Sequence, residues 1–309
     1  MTLPRPNSTR AAVLIPFAIV TLIWGSTWIV IRDQLAGANV PPSWSVSYRF
    51  LVAGLTLAAV AAWRGELGGA HRRDPGFWRF AALVGLLQFV MNFNFVYRAE
   101  QHITSGLVAV TFALLLVPNA LFGRVFLGQR LGPQLLIGSG IAMLGVVLLF
   151  VREARGDPNG ARETVAGIAL TLVAILSASV SNVMQATERA RRYPMLPMLA
   201  AAMLLGASMD AGWAWLTTGP PVFDPRPSYV AGVLYLGIAA SALAFTLYFR
   251  LIRVIGPAKA AYNSVIVPVI AMLLSTLYEG YRWTTLAAAG AALAGIGLVV
   301  ALSARRPAR

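Results

Sequence analysis

The 309-residue chain has no cysteine, which excludes a disulfide framework and thiolate chemistry. Charge is scarce as well. Only 12% of residues are Asp, Glu, Lys or Arg, about half the roughly 25% of a soluble domain. The two histidines, His71 and His102, are predicted in different loops. No His/Asp/Glu cluster has metal-ligand spacing, so neither a metal site nor the acid–base cluster of a lipid-modifying membrane enzyme is expected. A Gly-x-x-x-x-Gly-Lys loop is also missing, which argues against nucleotide hydrolysis by this chain. No cofactor is expected. Low-complexity tracts are absent, and the longest polar stretch, 152–163, reads as a surface loop.

What the chain does have is apolar sequence. Hydrophobic residues make up 58% and mean hydropathy is +0.71. A spanning helix needs roughly 20 apolar residues, and ten such stretches are present: 11–31, 44–63, 77–97, 103–122, 133–151, 164–187, 195–217, 228–249, 259–278 and 284–303. They lack the broad polar stripes of soluble helices and the alternation of spanning strands. The first run continues through Trp24 to Ile31 without an early small-residue cleavage site, so it is expected to be a retained helix and not a signal peptide.

The second half repeats the first 150 residues on. Pro118 returns as Pro268, Leu127 as Leu277, Gly140 as Gly290 and Gly145 as Gly295; Gly106 and Gly256 keep the same offset. Five crossings is an odd number, so the second copy must enter from the opposite side. The predicted fold is therefore an all-α integral membrane protein of ten transmembrane helices in two inverted five-helix repeats, 11–151 and 164–303, joined by the loop 152–163. Inverted repeats of this kind build secondary transporters.

The net charge of +14 would suit nucleic acid, but its distribution does not. Basic residues sit in small groups between spans, as topological signals do. With the N-terminus inside, the inner loops collect Arg64, Arg72, Arg73, Arg79, Arg189, Arg191, Arg192, Arg250, Arg253 and Lys259. Arg32, Arg98, Arg226 and Arg282 are among those left outside. Both termini are expected to be cytoplasmic.

Several motifs resemble the EamA-type transporters of the drug/metabolite transporter superfamily. Trp24-Gly25-Ser26-Thr27 is similar to that family's opening motif, and Tyr48-Arg49-Phe50 to its start of span two. Val117-Pro118 through Phe126-Leu127-Gly128-Gln129-Arg130-Leu131, followed by Gly138 and Gly145, resembles its Pro…Leu-Gly-Glu-Arg…Gly…Gly signature. Val267-Pro268 through Glu279, Gly290 and Gly295 is similar to the second copy. Gln129 stands where the family usually has Glu, and a capping or loop-anchoring role suits either group. The resemblance implies a central cavity lined by the first four helices of each half, with spans five and ten peripheral. It implies outward movement of small metabolites across a bacterial inner membrane, hydrophobic and aromatic amino acids foremost. Antiport of a sugar phosphate is the alternative, and a membrane-embedded lipid-modifying enzyme is one from another class. The expected partners are a small-molecule substrate and membrane lipids, not nucleic acid, in a monomer or weak homodimer.

Polar side chains at membrane depth are costly and usually face protein or water. The substrate-binding candidates are Trp24, Gln88, Asn92, Tyr97, Ser177, Ser181, Gln185, Tyr248 and Asn263. Near them in the spans lie Trp28, Asn94, Asn182, Ser241, Phe245 and Ser264. Amides and hydroxyls both donate and accept, so such a lining suits a zwitterion with an apolar body. Against this, a serine in a spanning helix often bonds back to its own helix, and Tyr97 falls where tyrosines anchor. Arg49 is a candidate for a carboxylate contact, or else a snorkelling structural residue. Asp210 is a candidate proton carrier. Pro118 and Pro268, with Gly106 and Gly256, are candidate gating hinges or fixed kinks. The glycines of spans five and ten are expected to allow close packing.

Overall fold

A computed structural model describes residues 6–37, 40–129, 132–156, 160–278 and 283–302. Among these residues there is no strand. Among the described residues nine helices are long and apolar enough to cross a membrane: Ala12–Leu35, Pro42–Trp63, Pro75–His102, Ser105–Leu127, Pro133–Val151, Arg162–Gln185, Met195–Thr218, Pro227–Ile255 and Pro257–Leu274. Thr285–Ala301 is a tenth, shorter apolar helix. They are called spans one to ten below. The protein is an all-α integral membrane protein, and the large apolar side chains it exposes, such as Leu144, Leu216 and Val299, face a solvent in which they cost nothing.

Local chemistry sets the ends of the spans. Asp74 caps span three by accepting from the Gly76 N–H at 2.7 Å, with Pro75 at the first helical position. The Tyr193 hydroxyl donates to the same carboxylate at 2.7 Å; these two bonds hold the Asp74 carboxyl below its usual range. Thr104 caps span four through the Leu107 N–H. Gly128 ends it at φ 62°, and the Gln129 N–H reaches back to the Gly123 carbonyl, a termination that favours glycine at the left-handed position. The Gln129 side chain lies against Gly256, at the turn joining spans eight and nine. Glu279 lies outside the described residues.

The helices pack in matched pairs. Span two lies on span seven and span five on span ten; span one packs on span nine as span six packs on span four; span three packs on span six as span eight packs on span one. Each contact recurs when a span is exchanged for the one five places on, which is how a pseudo-two-fold axis relates two like halves. Spans five and ten touch through their backbones. A methyl group added at Gly145 would lie 2.5 Å from the Gly290 carbonyl oxygen, and one at Gly138 would lie 2.7 Å from that of Gly297. Gly140 and Gly295 face open space.

Spans three and eight each widen into a π-helical segment, Gly85–Met91 and Ile238–Leu243. The 150-residue register superposes Gln88 on Ile238, so the two segments overlap in the repeat. Such bulges often mark functional positions. Nothing in the residue pattern announces them.

The gating candidates are not locally equivalent. Span four tightens into a 3-10 turn at Ala113–Leu115, just ahead of Pro118, where proline cannot donate to Leu114. Pro268 sits inside a continuous helix. Gly106 lies in a helical first turn, whereas Gly256 adopts φ 85° in the turn between spans.

Replacing Gly145 by Ala is expected to destabilise the protein by ~1–3 kcal/mol through overpacking. Gly140→Ala is expected to be neutral or stabilising by up to ~1 kcal/mol from helix propensity. Thermal unfolding in detergent distinguishes the two.

Candidate functional site

Seven spans converge on one cavity. Span one contributes Trp24, Thr27, Trp28 and Ile31; span three contributes Gln88, Asn92, Phe93 and Val96. Both sets repeat at helical spacing, so each is a single face. Arg49 of span two, Phe112 of span four, Asn182 of span six, Phe245 and Tyr248 of span eight, and Ser264 of span nine complete the polar and aromatic lining. The cavity offers about 80 Å³ to water, well above the ~15 Å³ that admits one molecule. Spans five and ten stay outside, as the resemblance implies. Span seven contributes no lining residue, because close packing commits it to spans two and three: a methyl at Gly54 would meet Leu204 and one at Gly85 the Ala202 carbonyl.

The aromatic wall is fixed by direct contacts. Trp24 Nε1 donates to the Ala240 carbonyl at 3.0 Å, a carbonyl inside the π segment of span eight, where the widened turn changes the usual helical pairing. The Trp24 ring lies 4.9 Å from Tyr248 and 5.1 Å from Phe245. Gly25 lets span nine approach, since a side chain there would strike Ile270. Ser26 pairs with the Tyr235 hydroxyl of span eight. The opening motif thus joins span one to spans eight and nine.

Arg49 forms the polar end of the cavity. It is 2% exposed, so the snorkelling alternative does not describe it. Its Nε donates to Ser241 Oγ at 2.9 Å, and the guanidinium carbon lies 4.3 Å from the Phe93 ring centre, a cation–π contact. Beside the guanidinium, the Tyr97 hydroxyl donates to Gln34 Oε1 at 3.2 Å. Among the described residues no carboxylate lies within 4.0 Å of Arg49, and Nη1 has no partner. Gln88 Oε1, Asn92 Oδ1, Asn182 Oδ1 and Trp28 Nε1 are likewise buried without partners. All five atoms belong to residues that line the cavity.

The sequence candidates separate cleanly. Trp24, Arg49, Gln88, Asn92 and Tyr248 line the cavity; Tyr97 stands behind Arg49. Ser177 lies off the cavity, its hydroxyl bonded to its own helix at the Val173 carbonyl. Ser181 is buried off the cavity without a partner. Gln185 accepts from Arg253. Asn263 lies off the cavity too and donates to Thr21 Oγ1 at 2.6 Å, tying span nine to span one. Asp210 bonds Asn94 and not Arg49. Thr27, Phe93 and Phe112 were not foreseen, because an apolar face turned to a cavity reads the same as one turned to another helix.

The EamA-like transporter family model matches residues 11–151 and again 165–303. The chain belongs to that family. This EamA-like transporter is 32% identical over 260 residues to the uncharacterized inner membrane transporter YedA of Escherichia coli strain K12, covering 82% of this chain and 79% of that protein. It is 25% identical to a probable terminal-alkyne amino-acid exporter of Streptantibioticus cattleyicolor, across 91% and 90% of the two chains. A solved crystal structure at 25% identity superposes with a TM-score of 0.74 and covers 96% of this chain and 99% of that one.

An unpaired buried polar group costs ~1–3 kcal/mol. Gln88→Leu and Asn92→Leu in the EamA-like transporter are therefore expected to leave the melting temperature unchanged or raised, whereas Asn263→Leu, which also breaks the bond from Nδ2 to Thr21 Oγ1 between spans nine and one, is expected to lower it. Melting curves of the three variants against wild type check this.

Proposed function

We propose that this EamA-like transporter exports small zwitterionic metabolites with an apolar body, hydrophobic or aromatic amino acids first, by alternating access through the central cavity. The reading includes a bacterial inner membrane location with both termini cytoplasmic. The observation that carries it is the set of unpartnered polar atoms at one aromatic-walled cavity. Arg49 Nη1 offers a donor for a carboxylate. The free oxygens of Gln88, Asn92 and Asn182 offer acceptors for an ammonium group. Between them, Trp24, Trp28, Phe93, Phe112 and Phe245 offer apolar surface to a side chain.

A zwitterion answers every one of those groups without bringing net charge into the cavity. A sugar phosphate does not: its two charges call for several basic groups, and Arg49 is the one basic residue among the described lining. The name of the Streptantibioticus relative, a probable amino-acid exporter, supports the same substrate class. The two-fold exchange of helix contacts supports rocking of one half against the other, because both arrangements would use equivalent interfaces.

Counterflow of radiolabelled leucine, phenylalanine and tryptophan in proteoliposomes tests the reading. Exchange is expected for the amino acids and not for their carboxamides. Arg49→Gln removes a charge-assisted contact of ~1.5–3 kcal/mol and is expected to raise half-saturation about 10- to 150-fold. Equal exchange of the carboxamides, or no exchange with any of the panel, overturns it.

A further inference from the structure

Asp210 lies outside the cavity and is fully buried, at 0% exposure, in span seven. Its Oδ1 accepts from Asn94 Nδ2 of span three at 2.6 Å. Asn94 Oδ1 in turn accepts from Ser43 Oγ of span two at 2.7 Å. One turn further along span two, Ser47 Oγ donates to the Ala207 carbonyl of span seven at 2.9 Å. These bonds form a polar seam between spans two and three of the first half and span seven of the second. Asp210 Oδ2 has no partner in it.

Among the described residues no cation lies within 4.0 Å of that carboxyl. From span two, Arg49 turns to Ser241 and Tyr97, and Tyr48 donates to the Val222 carbonyl. From span three, Tyr97 donates to Gln34 and Glu100 accepts from Ser105. From span eight, Tyr229 pairs with Ser45 at 2.8 Å. Glu66, Arg79, Arg250 and Arg253 belong to the other end of the bundle, by the turns at 64–74 and 186–194. An ionised carboxylate left with a bare oxygen in such a place is expensive by several kcal/mol. A proton on Oδ2 removes that cost.

We propose that Asp210 is the coupling-proton site of this transporter. The acid takes up a proton on Oδ2 from water at the outer end, holds it while spans two, three and seven close around it, and gives it up to water on the inner side once rocking of the halves exposes it there. The seam joins the two halves, so rocking one against the other opens or closes it. Asp210 is eight residues from Thr218, the end of span seven, about 12 Å along the helix. Ser43 lies in the first turn of span two at the same end. Water therefore reaches the site from that end, which is the outer face in the orientation proposed above. Protons entering there would drive solute outward. The inference rests on the transport reading and extends it to the driving ion.

Phenylalanine-loaded proteoliposomes and the conservative variant Asp210→Asn test it. Acid outside is expected to accelerate wild-type efflux, with a gradient of one pH unit supporting about tenfold accumulation for one-for-one exchange. Asp210→Asn is expected to abolish that response while keeping counterflow. Counterflow intact with efflux indifferent to the gradient overturns the proton site alone; an unaltered gradient response in Asp210→Asn does the same. Loss of counterflow from the wild type sinks the substrate reading instead. A second measurement needs no solute. The infrared spectrum of purified protein in D₂O is expected to show a carboxyl C=O band from a site shielded from water, lost in Asp210→Asn. An identical spectrum in the variant overturns the assignment.

Discussion

Everything in this molecule follows from the cost of a polar atom in hydrocarbon. Backbone groups meet that cost by forming helices, the only open-ended spanning structure that pairs every N–H and C=O within itself. Side chains have no such general solution. Many polar ones at membrane depth find a specific partner, several border the cavity, and a few atoms, such as Ser181 Oγ and Asp210 Oδ2, do neither. Asn263 on Thr21, Gln185 with Arg253 and Ser47 on Ala207 take the first course. Gln88, Asn92, Asn182 and Arg49 are left with atoms that no protein group satisfies, and their residues border one cavity.

That division gives the two polar systems of the bundle different work. The cavity offers donors and acceptors at separate points on an aromatic surface, which is an arrangement for reading a solute. The Ser43–Asn94–Asp210 seam holds one acid among hydrogen-bonded side chains, which in the proposal above serves a proton. The first is lined by spans one to four and six, eight and nine; the second sits where span seven meets spans two and three. Span seven thus belongs to the interface between halves and not to the passage, although repeat symmetry alone would assign it to both.

Much of the fold was legible because the relevant signals are long. Runs of bilayer length and a 150-residue register survive local noise, and the span starts lie within two residues of expectation, although spans three, four and eight run five or six residues past their expected ends. The site was legible in part. Gln88 and Asn92 stood out as two amides on one face of an apolar helix, and Trp24 stood out in its motif. Ser177 carried the same kind of signal, yet its hydroxyl is satisfied by Val173, four residues back. Asn263 looked like a cavity group until its partner proved to be Thr21, on the far side of the sequence. Pairing across distant spans is a tertiary fact, and no spacing within one helix encodes it. The same is true of Arg49, whose inward course depends on Ser241 and the Phe93 ring. The π segments depend on how spans three and eight meet their neighbours, Gly85 against Ala202 and Gly237 against Val52.

The central claim is that the unpartnered polar groups enclose water that an amino acid replaces. A chain without cysteine permits a direct measurement: Asn92→Cys, labelled in membranes with a small water-soluble maleimide, with and without phenylalanine. The account predicts labelling that phenylalanine slows, and none for Leu144→Cys on the lipid-facing surface. An unreactive Asn92→Cys, or labelling indifferent to every amino acid that undergoes counterflow, would contradict it.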